Sequence, residues 1–267
     1  MDHGLERAAE VLACGFADYF VPIPANAAML LQMVRTDSVD LAASRVIVRD
    51  GTAIGAALIA RRGWTSRLAG MSIVREARRS GVGRAAVFQL LTEAKGRGDH
   101  AMVLEVIEPN TAAVALYDTC GFRKIRRLIS FAGPAPVEGN VPPGLVEVDL
   151  REMAEIVTHD GLRDLPWQLS GETLAQLTPP NLAFRLNGSW VALSNPDGLV
   201  ITIRGVVTEH GVQGQGRAAA LLRAVMAKYP GKEWRLPALW PEELGDVIAQ
   251  AGLPRSALTQ WQMECVL

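Results

Sequence analysis

The chain has 267 residues, a length that suits two domains of ordinary size. Lysine plus arginine (27) nearly balances aspartate plus glutamate (28), which excludes a strong overall attraction to nucleic acid or to an anionic membrane. Three widely spaced cysteines and the lack of a long apolar run indicate a cytoplasmic protein with no disulfide framework, no metal site and no membrane span.

Changes in the period of the apolar residues predict the elements of the first half. Asp50-Gly51 is typical of a hairpin turn, and Gly121 is typical of a helix end. We expect two helices, a hairpin with a third strand, and then a helix, a strand, a helix and a closing strand: 5–20, 24–35, 46–49, 53–60, 66–74, 81–96, 102–107, 110–120 and 123–131.

A stretch that contains four prolines, 133–144, separates this half from the second. We place a linker at 136–144, between a first domain at 1–135 and a second domain at 145–267. The short run 145–149 could serve as a strand of either half.

The order of elements largely recurs after the linker: strands at 182–186, 190–194 and 199–207, a glycine loop, and a helix at 214–228. Self-similarity at a spacing of about 131 residues indicates a duplication. Setting Gly121-Phe122 on Gly252-Leu253 brings Gly81-x-Gly83 close to Gly214-x-Gly216, at an offset of 133 positions.

The loop from Arg78 to Arg84 lies between an apolar strand and an amphipathic helix. Backbone N–H groups converge at a helix start, and glycines let an anion approach them closely. The arginines at 78, 79 and 84 add local positive charge. For the loop taken alone, an ordinary basic turn is an equally good interpretation.

Two other phosphate-binding motifs can be compared with this loop. The Gly-Lys-Ser/Thr ending of a P-loop is absent. Gly81 to Ala86 fits a relaxed dinucleotide fingerprint, with Glu105 at about the expected distance. However, residues 75–80 separate the glycines from their strand, and Glu105 lies inside its strand rather than at its end, so the dinucleotide interpretation is disfavoured.

Three motifs occur in a fixed order within residues 1–132: Arg78-x-x-Gly81-x-Gly83, Leu104-Glu105-Val106, and Asn110 followed by Tyr117 and Gly121-Phe122. Together they resemble the GNAT superfamily of N-acetyltransferases. The resemblance implies an α/β (α+β) chain of two tandem GNAT-like domains. Each would be a mixed, mostly antiparallel, splayed sheet flanked by helices, with CoA in the opening between two central strands.

The resemblance also implies the cofactor contacts. Acetyl-CoA would be the cosubstrate, with no metal. The backbone of Met71, Ser72 and Ile73 would contact the pantetheine, and Asn110 would contact the cofactor from its helix. The residues expected to hold the pyrophosphate are Arg78, Arg79, Ser80, Gly81, Val82, Gly83 and Arg84.

Direct attack of an amine on a thioester needs a base and an acid. Tyr117 matches the position of the family's general acid, and its ordinary phenol pKa near 10 suits that role. Glu105 resembles the strand glutamate proposed as base in ribosomal-protein N-terminal acetyltransferases. Two structural roles stay open: packing for Tyr117, and an ion pair with a nearby arginine for Glu105.

Two further groups lie where the family's fold shapes its acceptor site. We expect acceptor contacts from one of them: Asp18, Tyr19, Phe20 and Asp37. The other group either lines the acceptor pocket or forms a solvated turn: Arg61, Arg62, Trp64 and Arg67. The family normally begins with a strand before its first helix, and in this chain that strand is missing or supplied elsewhere.

In the second half Gly211, Leu236, Pro241 and Ile248 replace Arg78, Glu105, Asn110 and Tyr117 in the registers above. We therefore expect a non-catalytic second domain, and a weak CoA site in it is left open. The predicted activity is acetylation of a primary amine, with a small molecule favoured over a protein N-terminus. The alternative is a non-catalytic acyl-CoA-binding sensor or scaffold; no nucleic-acid or membrane partner is expected, and a homodimer is left open.

Overall fold

In a computed structural model of the protein, the structure describes residues 4–23, 25–135 and 140–267. The chain divides into two compact units. Unit 1 comprises Met1–Arg126 together with Trp261–Leu267, and unit 2 comprises Arg127–Gln260. Within the described ranges, no helix is both long and apolar enough to cross a bilayer.

Unit 1 begins with two helices and is built on a five-stranded sheet in the order β1-β2-β3-β4-β11. Its elements are α1 (Leu5–Gly15), α2 (Ala27–Thr36), β1 (Val39–Arg49), β2 (Thr52–Arg62), β3 (Thr65–Ile73), α3 (Val82–Gly96), β4 (Ala101–Ile107), α4 (Thr111–Thr119), the start of β5 (Arg123–Pro134) and the end of β11 (Arg255–Val266).

The predicted hairpin is confirmed, because Asp50 and Gly51 both have positive φ (50° and 76°) between β1 and β2. β1 starts seven residues before its predicted start. This part of the strand was not predicted from the sequence because the strand bulges after Asp40. The Oδ1 atom of Asp40 accepts the N–H groups of Ala42 and Ala43 at 2.8 and 3.1 Å. The alternation that marks a strand is lost there.

Helix α3 packs one apolar face on the sheet. Its buried residues, Val87, Leu90, Leu91 and Ala94, recur at the spacing of successive helical turns. They join a core that includes Leu104 of β4 and Phe122. Packing therefore holds the helix from Val87 onward, while its first turn, at the end of the glycine loop, has no buried residue.

The pairing between β3 and β4 is short. The two parallel strands pair only where Thr65–Arg67 faces Ala101–Val103. β3 continues to Ile73 and β4 continues to Ile107 without further ladder pairs between them in the described chain. The predicted mixed, splayed sheet is thus confirmed.

The last seven residues complete the sheet of unit 1. Met263 and Cys265 are buried in the same core as Leu104 and Phe122, and the N–H of Leu267 donates to the carbonyl of His100 at 2.9 Å. The final strand of this unit therefore comes from the far end of the sequence.

Unit 2 repeats the plan with a sheet in the order β5-β10-β9-β8-β7-β6. Its elements after β5 are β6 (Val146–Val148), α5 (Leu150–Asp160), α6 (Gly171–Leu174), β7 (Leu182–Leu186), β8 (Ser189–Leu193), β9 (Val200–Thr208), α7 (Arg217–Lys228), β10 (Glu233–Pro241) and α8 (Gly245–Gln250). The run 145–149 supplies β6, which pairs with β7. β9 and β10 pair only over Val200–Thr202 and Glu233–Arg235, so this sheet also splays.

We predict that Met263→Ala destabilises the protein by about 2–5 kcal/mol, because it removes a fully buried side chain from the core of unit 1. Urea denaturation followed by circular dichroism measures the effect. Val266→Ala is the matched control, since Val266 lies on the same strand and is 78% exposed; its cost should stay within about 0.5 kcal/mol. Equal costs for the two variants would contradict the placement of this strand.

Candidate functional site

The glycine loop of unit 1 joins the end of β3 to the start of α3. After a 3-10 turn at Arg75–Ala77, Arg79 and Gly81 adopt positive φ (59° and 83°). Gly81 is the N-cap of α3 and supplies no side-chain cap to the helix. The first N–H groups of α3, at Val82, Gly83 and Arg84, therefore lack a side-chain acceptor, which is the arrangement that binds an anion.

Arg78 does not project freely from this loop. Its Nη1 and Nη2 donate to the two carboxylate oxygens of Asp18 at 2.8 and 2.7 Å. Nη2 also donates to the carbonyl of Gly15, and Nε to that of Ile73, at 2.8 and 2.9 Å. The hydrogen bond from Arg78 lowers the pKa of Asp18. Arg78 thus ties the end of β3 to the end of α1. The backbone N–H groups of the loop are therefore the donors left for a ligand.

The open edge of β3 leads into the loop. Met71, Ser72 and Ile73 pair with β2 on one side and have no ladder partner on the β4 side among the described residues. On that side the carbonyl of Ile73 accepts Nε of Arg78, and the other backbone groups are left for another hydrogen-bonding chain. A ligand with amide groups along its length matches such an edge.

Glu105 lies at the vertex where β3 and β4 separate. Its side chain is 4% exposed, and its Oε2 accepts Nε and Nη2 of Arg67 at 2.8 and 2.7 Å. Arg67 is equally buried, and its Nη1 lies 3.8 Å from Asp37. The arginine partner considered for Glu105 is therefore present. Oε1 of Glu105 is buried and has no hydrogen-bond partner among the described residues.

Tyr117 packs edge-to-face against Phe122, with ring centroids 5.7 Å apart. Burial raises the pKa of Tyr117 above the ordinary phenol value, so the near-10 value assumed from sequence is too low. The phenol stays protonated at neutral pH, but it is a weaker acid than an exposed tyrosine.

Tyr19 and Asn110 lie in the same region. Asn110 caps α4 by accepting the N–H of Ala113 through Oδ1 at 3.3 Å. Its side chain also hydrogen-bonds Tyr19, whose pKa is raised mainly by burial. Tyr19 lies close enough to Tyr117 that ionisation of Tyr19 raises the pKa of Tyr117 further. Tyr19, named from sequence only as an acceptor contact, thus joins the two predicted site residues on α4.

The arginines of the β2–β3 hairpin are tied into local structure. Arg61 pairs with Asp40 and Asp99 at 3.4 and 3.2 Å, and Arg62 donates to Ser38 at 3.1 Å. Trp64 is 69% exposed and packs on the ring of His100 at 4.4 Å. Of this group, only Arg67 reaches a predicted catalytic residue.

The glycine loop of unit 2 has the same backbone as that of unit 1, at an offset of 135 positions. Arg78 and Gln213 have nearly equal torsions, with φ/ψ of −67°/158° and −65°/159°. Gln213 also reproduces the contacts of Arg78: its Nε2 donates to the carbonyls of Thr208 and Asp160 at 2.9 and 3.5 Å. The offset of 133 inferred from sequence is wrong here, and Gln213, not Gly211, occupies the place of Arg78.

The strand register needs a smaller correction. The parallel pairs that start at Thr65–Ala101 and at Val200–Glu233 place Pro237, not Leu236, at the position of Glu105. Ile248 keeps the position of Tyr117. The carbonyl of Tyr117 accepts the N–H of Phe122, and the carbonyl of Ile248 accepts the N–H of Leu253, in each case five positions later. Neither residue in unit 2 can exchange a proton.

One group of side chains in the described chain has metal-ligand chemistry. His159, Asp160 and His210 present ligand atoms that lie within 4.8 Å of one another. Asp160 already accepts the backbone N–H of His210 at 3.0 Å and lies 2.6 Å from its Nδ1. The 50 positions between the two histidines hide this cluster from a spacing search.

A model of the acetyltransferase (GNAT) family matches residues 19–122. That span contains the glycine loop, Glu105 and Tyr117. No curated relative matches the chain in sequence.

Solved structures match the chain along its whole length. A GCN5-related N-acetyltransferase from Sphaerobacter thermophilus has a TM-score of 0.71 at 16% identity, over 98% of this chain and 92% of that one. A putative acetyltransferase from Pyrococcus horikoshii has a TM-score of 0.67 at 12% identity, over 100% and 86%. A tandem GNAT protein from the clavulanic acid biosynthesis pathway has a TM-score of 0.62 at 15% identity, over 99% and 95%.

At these identities the structural likeness shows the fold alone, and the family model supplies the sequence relation. The two agree with the geometry: a splayed sheet with a glycine loop at the end of its third strand, built twice. Residues 19–122 therefore belong to the GNAT acetyltransferase family, within a chain whose whole length has the fold of tandem GNAT proteins.

Proposed function

We propose that the chain transfers an acetyl group from acetyl-CoA to a primary amine by direct attack, at a site in unit 1. The observation that carries the proposal is the short pairing of β3 and β4, which leaves an open strand edge leading straight into an uncapped helix start. The edge at Met71–Ile73 suits the amides of the pantetheine. The N–H groups of the loop from Arg79 to Arg84 suit the pyrophosphate.

The residues assigned to phosphate binding then divide into two kinds. Ser80, Gly81, Val82 and Gly83 would act through the backbone, while Arg79 and Arg84 would add charge. The guanidinium of Arg84 lies over the ring of Phe88, 5.4 Å from its centroid. Arg78 would act by holding the loop in place through Asp18 and Gly15. Asn110, through its contacts with Tyr19 and α4, would face the cofactor from the opposite strand.

In the proposed reaction the amine nitrogen forms a bond to the thioester carbonyl carbon, and the carbon–sulfur bond then breaks. Glu105 takes the proton released by the amine through Oε1, while Arg67 fixes Oε2 and thereby the orientation of the carboxylate. Tyr117 donates a hydrogen bond or its proton to the departing thiolate. In this account Arg67 is a positioning residue, and Glu105 and Tyr117 touch the reacting atoms.

A small-molecule amine is the favoured acceptor, and a protein N-terminus is the second choice. The helical segments that would border the acceptor site carry Asp18, Tyr19 and Asp37. Asp18 and Asp37 are already near arginines, so the polar groups in this region are largely paired. Unit 2, with Pro237 and Ile248 at the two catalytic positions, is proposed to have no acetyltransferase activity.

The Arg67–Glu105 ion pair favours one second candidate, a non-catalytic acyl-CoA-binding protein. A buried carboxylate held by arginine is also what a purely structural pair would look like. The two candidates differ in turnover: only the enzyme releases free CoA when an amine is supplied.

We expect the purified protein to release CoA from acetyl-CoA in the presence of a primary amine, measured by thiol titration across an amine panel. Tyr117→Phe and Glu105→Gln should each lower kcat by about 100-fold or more, since each removes a proton-transfer group. Tyr229→Phe in unit 2 is the matched control and should leave kcat unchanged. Turnover that survives both unit 1 substitutions would contradict the assigned roles.

The raised pKa of Tyr117 gives a pH prediction. A phenol whose pKa lies above 10 stays mostly protonated below that pH. The ratio of wild-type kcat to Tyr117→Phe kcat should therefore stay constant from about pH 7 to about pH 9.5. A ratio that falls across this range would show that the phenol ionises there, against the burial seen in the structure.

Ligand binding can be located by thermal shift. Acetyl-CoA at about 100 times its Kd should stabilise the wild type by about 2.7 kcal/mol. Gly81→Glu should abolish the shift, because it places a carboxylate where the phosphate would bind. Gly216→Glu is the control with the same backbone strain, since Gly216 is the positive-φ N-cap of α7, and it should keep the shift. Loss of the shift only in Gly216→Glu would place the cofactor in unit 2.

A further inference from the structure

Unit 2 contains a cavity of about 440 Å³ between its separated strands β9 and β10. The volume lies in the range of pockets that hold small organic ligands. Gly205–Thr208 of β9 and Trp240 of β10 form its two sides. The rest of the wall comes from α5 and the segment after it, the glycine loop with the start of α7, and α8 with the turn before it. The cavity is thus the counterpart, inside unit 2, of the opening that unit 1 is proposed to use for its cosubstrate.

Most of the cavity wall is apolar. Leu162, Leu165, Val206, Trp240, Leu244 and Val247 all line it. The indole N–H of Trp240 is already donated to the carbonyl of Leu244 at 3.0 Å. The body of a ligand in this cavity would therefore be hydrophobic.

The charged groups of the wall are acidic. The titratable side chains that line the cavity are Asp160, His210 and Asp246, and no lysine or arginine is among its described lining residues. Asp160 is buried, and its carboxylate accepts the backbone N–H of His210 and lies against the imidazoles of His159 and His210. Asp246, in the first turn of α8, is exposed and has no ion pair or hydrogen bond in the described parts of the chain.

Comparison with unit 1 shows what the cavity has lost. At the offset of 135 positions, the four arginines around the unit 1 loop correspond to uncharged residues or histidine: Arg75, Arg78, Arg79 and Arg84 become His210, Gln213, Gly214 and Ala219. One arginine is gained, because Arg217 stands at the position of Val82; its Nη1 donates to the carbonyl of Asn187 at 2.8 Å, and it is not among the described lining residues of the cavity. The start of α7 still offers about half a positive charge. Two carboxylates outweigh it, so a ligand with several phosphates is disfavoured.

We propose that the cavity of unit 2 binds an apolar amine, with the hydrophobic body between β9 and β10 and the ammonium group at the mouth beside Asp246. The site takes an organic cation because its wall is hydrophobic and its charge is negative. The inference stands on the described residues of unit 2 and does not depend on the activity proposed for unit 1.

The test is calorimetric titration of the full chain with three probes that share one hydrophobic body: 4-phenylbutylamine, 4-phenylbutan-1-ol and 4-phenylbutyrate. Chelator in the buffer removes any metal bound by the His159 cluster. The amine should bind tightest and the carboxylate weakest. Asp246→Asn should weaken amine binding by up to about fivefold, the upper range for an exposed ion pair, and leave alcohol binding unchanged.

Location is tested by two further variants. Val247→Trp should fill the cavity and abolish binding of both the amine and the alcohol, with circular dichroism to confirm the fold. Glu105→Gln, in unit 1, should leave amine binding intact, which separates this site from an acceptor site. The charge reversal Asp246→Lys should move the preference from the amine toward the carboxylate probe.

Several results would overturn the proposal. Equal or tighter binding of 4-phenylbutyrate than of the amine would show that negative charge does not select the ligand. Amine binding that survives Val247→Trp, or no amine binding at millimolar concentration, would show that the cavity is not the site. CoA binding that survives Gly81→Glu and is lost in Val247→Trp would show that unit 2 takes the polyanion instead.

Discussion

The early separation of β3 and β4 is the constraint on which the rest of unit 1 depends. Two parallel strands that pair over three residues and then diverge leave backbone donors and acceptors facing a gap, and buried backbone groups need partners. A ligand with its own amides can supply them. The same divergence places Arg67 and Glu105 at the vertex and leads β3 into the glycine loop, so that one irregularity of the sheet positions every part of the proposed site.

The loop after β3 is held by a side chain rather than by its glycines alone. Arg78 in unit 1 and Gln213 in unit 2 both reach back to the carbonyl that ends the preceding strand and to the carbonyl that ends the first helix of the unit. The duplicated halves have therefore kept the mechanical part of the motif. They have diverged in charge: the arginines at 75, 78, 79 and 84 have no arginine at the matching positions of unit 2, and Arg217 of unit 2 matches Val82. This divergence is the basis for proposing different ligands for the two units.

Local features of this chain could be predicted from its sequence. The Asp50-Gly51 turn, the helix end at Gly121 and the motif at Arg78 each depend on a few neighbouring residues. The closing strand of unit 1 could not be predicted, because Met263 and Cys265 contact a core whose other members lie more than 130 positions away. The offset of 133 positions, where the structure gives 135, could not be corrected from the sequence either. Small differences in loop length between the two copies become visible only when torsions and contacts are compared.

Within the candidate site, the positions of the functional residues were easier to predict than their hydrogen-bond partners and pKa values. The positions of Glu105 and Tyr117 follow from motif spacing, but the partner of Glu105 depends on the register between β3 and β4. The raised pKa of Tyr117 depends on how deeply α4 packs. The cavity of unit 2 could not be predicted from the sequence, because its wall combines the glycine loop with apolar and acidic residues spread from Val157 to Gln250.

Hydrogen exchange with and without acetyl-CoA tests the central claim most directly, because it reports on the backbone N–H groups themselves. The account predicts slower exchange for residues 79–84 and 71–73 in the presence of acetyl-CoA, with no change for residues 214–219 of the matching loop. Protection confined to residues 214–219, or no protection in either loop, would contradict a cosubstrate site built from the splayed strands and uncapped helix of unit 1.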